Sequence, residues 1–338
     1  MTDNDTTPAS GFRHDLPRWQ HLVSAQWLAG LAAGRQVAAA PASDWRLLEI
    51  GFNAEEAYLQ GHIPGANYVD TCEFERGPLW NRVADTELIA LLLDCGIRRD
   101  TTVVLYARDP LAAARAAHLM LYAGVEDVRF LDGGFAAWTR LHLPLEQGHM
   151  PRLPAAGDFG CPCPAHPEYL VDIDEVRSLL ARPDACLASI RTWNEYIGRT
   201  SGYSYIPAKG DIAGSLWGRS GGDDDVSSMS EFHDAQGRML AASDIRRMWK
   251  EKGIGPDRRT VFYCGTGWRA SLAFFYAWLM KWERISLYDG GWCEWSRDSR
   301  NPVVCRVDAS YERFRHRLED EQLESPVPCS PIPHREAD

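Results

Sequence analysis

Short runs of aliphatic and β-branched residues alternate along the chain with longer segments whose apolar residues recur at helical spacing. RLLEIGF (46–52) and CLASIRT (186–192) each read as a strand leading into a Glu/Tyr-bearing helical segment. VVLY (103–106) and TVFY (260–263) read as short buried strands bounded by polar residues, and 112–122 and 269–280 as the helices that follow them. Strands alternating with helices in both halves predict an α/β architecture, with sheets covered by helices on both faces.

The pattern is written twice. FLDGGFAAW (130–138) returns as LYDGGWCEW (287–295), and the offset of 157 residues that aligns Asp132 with Asp289 also lays VVLYARDPLAAA (103–114) over TVFYCGTGWRAS (260–271) without a gap. At that offset Ala107 occupies the place of Cys264. Upstream, GHIPGA (61–66) matches GDIAGS (210–215) at an offset of 149, so the second half carries eight extra residues between its anchors. The duplication predicts domains over 19–147 and 168–312, joined by a Pro- and Gly-rich linker at 148–167. A flexible N-terminus over 1–18 and an extension over 313–338 with a disordered end complete the expected organisation.

Composition narrows the function. With 338 residues and 45% hydrophobic content the chain can bury two cores. No stretch is apolar enough to span a membrane, and the first twenty residues lack the apolar core of a secretory signal, so a cytoplasmic protein with no membrane partner is expected. A formal net charge of −11 without a dense Lys/Arg run speaks against a nucleic-acid partner. Nine cysteines without a repeated spacing predict at least one free thiol rather than a disulfide framework. Cys161, Cys163 and His166 lie close in sequence but offer no fourth ligand, so no metal and no cofactor is expected.

The segment Cys264-Gly265-Thr266-Gly267-Trp268-Arg269 sits where a buried strand ends and a helix begins. Two glycines let the backbone curl so that successive N–H groups turn inward, and the helix N-terminus adds a positive partial charge. Thiols in such surroundings ionise more readily than free ones, which predicts a nucleophilic sulfur that takes up an outer sulfur atom as Cys–S–S⁻. The alternative is a buried strand-end thiol of the ordinary packing kind. Arg269 is expected to hold loop carbonyls or a nearby carboxylate, and Ser271 to cap the helix.

GHIPGA, DGGF/DGGW and the Cys-x4-Arg loop resemble the rhodanese family, over nearly the whole chain. The resemblance implies two rhodanese-like domains, each a mainly parallel five-stranded sheet, with a catalytic C-terminal domain and an N-terminal domain that has lost its cysteine, as Ala107 suggests. It implies sulfur transfer from thiosulfate or polysulfide through a Cys264 persulfide to a small nucleophile. Related cysteine phosphatases have one more residue between Cys and Arg, and the shorter loop here suits a sulfane sulfur. SGYSYIPAKGDIAG (201–214) and YCGTGWRAS (263–271) resemble a narrower subgroup that includes the rhodanese forming ergothioneine from hercynine with polysulfide. That likeness implies a role for Tyr205 and Tyr263 in sulfur insertion at an imidazole carbon. A sulfur carrier delivering to a protein partner is the third reading.

Arg191 and Arg199 lie where rhodanese domains often place substrate-facing arginines, and they are candidates for binding a sulfur-donor anion; a salt bridge is the plainer account. The acidic run Asp223-Asp224-Asp225, with Ser227, Ser228 and His233, is read either as a lid over the cysteine or as a solvated polar loop.

Overall fold

The computed structural model describes residues 12–307 except Arg152 and Val226; the expected disorder of the C-terminal extension falls outside them. In the first half the strands are β1 (Leu22–Val23), β2 (Trp45–Gly51), β3 (Asn67–Asp70), a small β4–β5 hairpin (Glu75–Arg76, Asn81–Arg82), β6 (Thr102–Tyr106) and β7 (Asp127–Leu131). Its helices are α1 (Ala25–Ala32), α2 (Glu55–Gln60), α3 (Asp85–Asp94), α4 (Pro110–Ala123) and α5 (Gly134–Arg140). The second half has β8 (Leu170–Val171), β9 (Ala185–Ser189), β10 (Asp211–Ile212), β11 (Leu216–Trp217), β12 (Arg259–Tyr263), β13 (Ile285–Tyr288) and β14 (Val303–Val304). Its helices are α6 (Ile173–Leu179), α7 (Trp193–Ile197), α8 (Ala242–Lys250), α9 (Trp268–Leu279) and α10 (Gly291–Trp295).

Each half builds a five-stranded sheet, β1-β7-β6-β2-β3 and β8-β13-β12-β9-β11. All pairs in both sheets are parallel. The two orders are the same order, which gives the sequence duplication its structural form. β6 and β12 are the central strands, flanked on both sides and buried, so their runs are continuously apolar rather than alternating.

The halves share one core. α4 and α9 are buried on every face, and a helix with no polar side must be covered all round. They cover each other: the small residues Ala112, Ala113, Ala116 and Ala117 of α4 leave room for the aromatic residues Phe274, Phe275 and Trp278 of α9. Phe130 meets Phe275 at a centroid distance of 5.4 Å, and His118 meets Phe274 edge-on at 4.7 Å.

Residues 12–18, expected to be flexible, are instead bound across the seam. The Arg13 guanidinium donates to the carbonyls of Met239 (2.5 Å) and Leu240 (2.8 Å), that of Arg18 to Trp278 O (2.6 Å), and Phe12 packs between Trp19 and Trp27. The segment read as a linker follows the first half closely: Gly148 N–H donates to Leu59 O, Ala156 N–H to Leu93 O, and Phe159 is buried.

Two buried histidines and a half-buried one touch α9. His21 stands edge-on to Trp278 (4.7 Å), His118 to Phe274, and His233 shares a 2.7 Å hydrogen bond with the Tyr276 hydroxyl. Desolvation pulls all three down to about 4, so they are neutral in the fold and charge readily only when it opens. A histidine depressed from 6.5 contributes its full stability above pH 6.5 and loses it as pH falls through 4, on the order of 3 kcal/mol per group. Acidification from pH 6.5 to 4 therefore lowers the thermal midpoint, and the fall is shallower in His118→Gln, whose amide can still donate to Tyr169 O; parallel curves would refute this.

Candidate active site

Cys264 follows β12, the central strand of its sheet, at the carboxyl edge where open α/β sheets place ligands. Gly267, with φ of 96°, turns the chain into α9. The duplicated DGG motif explains how the intervening loop is held. Trp292 N–H donates to Cys264 O (2.8 Å) and Cys293 N–H to Gly265 O (2.9 Å), so the first N–H groups of α10 occupy the outward carbonyls of the loop. This approach needs a glycine: a Cβ on Gly291 would lie 2.6 Å from Cys264 O, and φ there is 52°. The first half repeats the joint, with Phe135 N–H donating to Ala107 O (3.0 Å) beside Gly134.

Arg269, the second residue of α9, reaches a carboxylate, as one of the two expectations had it. It binds Glu195 through two hydrogen bonds (2.8 and 3.0 Å) and also donates to Tyr203 Oη. Burial alone would push Glu195 up, but the guanidiniums of Arg269 and Arg191 outweigh it and hold the carboxyl below its ordinary range. Ser271 does not cap the helix N–H groups; its hydroxyl donates back to Gly267 O at 2.8 Å.

A cavity of about 580 Å³ opens between the halves, with Cys264, Thr266, Trp268 and Arg269 on one side. The facing wall belongs to the first half: Phe52, Glu49, Glu75, Trp80, Arg108 and Asp109. Phe52 bridges the gap, edge-on to both Trp80 (5.8 Å) and Trp268 (5.9 Å). Arg108, which takes the place of Gly265 in the duplication, folds back onto Glu49 (2.9 Å) and the carbonyls of Ala57 and Gly61. Burial pushes the Glu75 and Asp109 carboxyls up, which softens their repulsion of an anion.

The residues expected at the site divide. Tyr205 lines the cavity beside Thr266, 48% exposed; desolvation raises its pKa and the interaction with Thr266 partly offsets this. Tyr263 does not reach the cavity, which corrects its expected part: it is fully buried and its hydroxyl donates to Asp211, inside the domain. Arg191 and Arg199 do not line it either. Arg191 is fully buried, donating to Gly210 O (2.7 Å) and Ser201 O (3.2 Å) between Asp211 and Glu195. It supports Glu195, and through it Arg269, rather than meeting a substrate. Arg199 donates to Asn194 Oδ1 at 2.7 Å. Among the described residues of the acidic insert only Ser227 lines the cavity, while Asp223 accepts Asn194 N–H at the start of α7. Among the described residues no cluster suits a metal ion.

Two residues of the second half were missed. Tyr203 packs flat against the loop, so that a Cβ on Gly265 would lie 2.3 Å from its ring. Its only signal was its place two residues before Tyr205, in a segment that the structure folds as a turn. Glu195 was signalled by Thr-x-x-Glu (192–195), a capping box whose glutamate here also serves Arg269.

Both halves match the model described as rhodanese-like domain, over residues 25–141 and 172–298. The fold and site define a tandem α/β protein with a cysteine in one of its two equivalent strand-end loops, and the chain belongs to the rhodanese-like domain family. The thiosulfate sulfurtransferase YnjE of Escherichia coli is 53% identical over 289 residues, 86% of this chain; the chain spans 66% of that relative's length. The crystal structure of YnjE superposes with a TM-score of 0.84 over 87% of this chain and 70% of the other. An anaerobic ergothioneine biosynthesis enzyme from Chlorobium limicola, solved with trimethyl histidine, is 38% identical, with a TM-score of 0.83 over 90% of this chain and 75% of the other. The sulfur carrier protein TtuD of Thermus thermophilus is 28% identical over 253 residues, covering 73% of this chain and 86% of its own.

Gly265→Ala tests the contact of Tyr203 with the loop. The added methyl displaces the ring and loosens Arg269, and alkylation of Cys264 slows by about tenfold or more while the protein still folds. Unchanged alkylation would show that Tyr203 does not hold the loop.

Proposed function

We propose that the protein is a sulfurtransferase in which Cys264 carries sulfane sulfur from thiosulfate or polysulfide to a nucleophilic acceptor. The observation that supports it most is the position of Cys264: at the floor of the interdomain cavity, at the N-terminus of α9, in a loop whose outward carbonyls are already bonded. The thiolate attacks the outer sulfur of thiosulfate, the S–S bond breaks, and sulfite leaves with the electron pair. The acceptor then attacks the terminal sulfur of the persulfide and the Cys264 thiolate departs. Electrons balance at each step, so the proposal requires no cofactor. Backbone N–H groups and the helix N-terminus stabilise the persulfide anion, since the Arg269 charge is committed to Glu195. A reducing, cytoplasmic setting is part of the proposal, in keeping with the free thiols of Cys186, Cys264 and Cys293. No described helix is long and apolar enough to cross a membrane.

Thiosulfate or polysulfide should add one sulfur atom to the protein, removable by cyanide as thiocyanate, and Cys264→Ser should abolish the addition in the intact-mass spectrum. Labile sulfur retained by that variant refutes the assignment.

The cavity walls favour a second reading, an imidazole acceptor derived from histidine. Phe52, Trp80, Trp268, Tyr203 and Tyr205 offer flat faces over which an imidazole or a cationic group can stack. The likeness to the ergothioneine enzyme supports it, with Tyr205 as the proton-handling group. A third reading, transfer to a protein, is supported by the likeness to a sulfur carrier, and fast transfer to one protein beside slow turnover on small acceptors distinguishes it.

Under the second reading Tyr205→Phe lowers imidazole sulfuration by roughly 10²–10⁴-fold while Cys264 loads normally. Tyr263→Phe loses a buried hydrogen bond and lowers the melting temperature instead. Product analysis by mass checks both, and wild-type sulfuration by Tyr205→Phe refutes the role.

A further inference from the structure

Behind the Cys264 loop lies a buried ion cluster drawn from both halves. Arg115, on α4 of the half without a nucleophile, is fully buried; its Nε donates to Glu75 Oε2 (3.0 Å) and its Nη2 lies 2.6 Å from Asp289 Oδ1. Glu75 Oε1 accepts the indole N–H of Trp268, the first residue of α9, at 2.7 Å. Asp289, of the DGGW motif, also accepts Arg82 N–H at 2.7 Å. The remaining nitrogen, Nη1, has no hydrogen-bond partner among the described residues and lies 3.1 Å from where a Cβ on Gly267 would stand. The guanidinium therefore fills the space that Gly267 leaves empty.

Stability does not explain such a cluster, because a buried ion pair is often no better than apolar residues of similar volume. The duplication supplies the comparison within one molecule. At the offset of 157 the counterpart of Arg115 is Leu272, fully buried and apolar, and in the equivalent hairpin His233, neutral in the fold, pairs with Met239 as Glu75 pairs with Arg82, so the place of Glu75 holds no charge. The counterpart of Asp289 is Asp132, which accepts Met239 N–H at 2.8 Å, as Asp289 accepts Arg82 N–H. The reciprocal aspartate contacts are thus kept in both halves, while the buried arginine and glutamate stand only behind the loop that carries a cysteine.

We infer that Arg115, through Glu75 and Asp289, is a positioning residue for the sulfur-carrying loop. Supplied by the domain without a nucleophile, its guanidinium fixes Gly267 and Trp268 and so the first turn of α9 on which the Cys264 persulfide depends. The inference rests on the sulfurtransferase reading above. It gives the N-terminal domain a part in the chemistry that the missing cysteine does not take away: docking of the two halves sets the loop.

The test is single-turnover sulfur loading from polysulfide, followed by mass, in Arg115→Lys and in the double variant Glu75→Gln/Arg115→Leu. The double variant removes both charges, keeps an acceptor for the Trp268 indole, and leaves Asp289 with a backbone N–H as Asp132 has. It is expected to melt within a few degrees of wild type, while the loading rate at saturating polysulfide falls by about tenfold or more and the half-saturating concentration stays within about twofold, as misplacement without lost binding requires. Arg115→Lys, which keeps the charge but not the fork, is expected to load at an intermediate rate. Wild-type loading by a folded double variant overturns the inference, and so does a raised half-saturating concentration with an unchanged saturating rate, which would make Arg115 a donor-binding group. Should the double variant not fold, Arg115→Lys decides, wild-type loading again overturning the inference. A Cys264→Ser control that retains labile sulfur refutes the proposed function itself, whereas normal loading in both wild type and variants refutes only the positioning role.

Discussion

Neither α4 nor α9 has a face that can meet water, and each is the helix that follows the central strand of its own sheet. Two such helices leave the chain one economical solution, which is to bury them against each other, alanines on one facing aromatics on the other. Much else follows from that packing. Because each helix begins at a strand-end loop, pressing the helices together brings the Ala107 and Cys264 loops to the same cleft, where residues of both line one cavity. The cavity is a consequence of how the core closes, and its walls come from residues far apart in sequence.

The loop itself depends on a second, smaller constraint. A chain that curls its N–H groups inward turns carbonyls outward, and buried carbonyls need partners. The DGG motif provides them through the first N–H groups of the following helix, with a glycine where any side chain would strike the loop. The joint recurs around Ala107 through the one bond from Phe135 N–H, so its frame belongs to the fold and not to the chemistry alone. What distinguishes the second loop is its contents: Gly265 leaves room for Tyr203, and Gly267 for Arg115.

This division marks how much the sequence could tell. Sheet, helices, duplication and the position of Cys264 were legible because each rests on local patterning or on comparison of the halves. Tyr263 was misplaced for a reason the same comparison exposes. Tyr106 stands at the equivalent position in a domain without a nucleophile, and its hydroxyl donates to Glu49 as that of Tyr263 donates to Asp211. A residue that recurs in the silent half is a residue of the fold. Arg191 failed as a substrate ligand because an arginine in a strand-end segment looks alike whether it faces a cavity or a buried carboxylate. Glu75, Trp80 and Phe52 carried no local signal, since their relation to Cys264 exists only after the halves have docked.

The silent half has become specialised rather than merely inert. Where the second loop has Gly265, the first has Arg108, whose guanidinium lies over Phe135 at 4.0 Å and closes onto Glu49. Where the second has Thr266, the first has Asp109, which caps α4 by accepting Leu111 N–H at 2.9 Å. These residues fill the space a bound anion would need and present their outer edges to the shared cavity. One copy of the loop has thus been closed into a wall and the other kept open around a thiol. Since the packing of α4 on α9 brings wall and thiol together, changes in that seam act on the site as directly as changes in the loop.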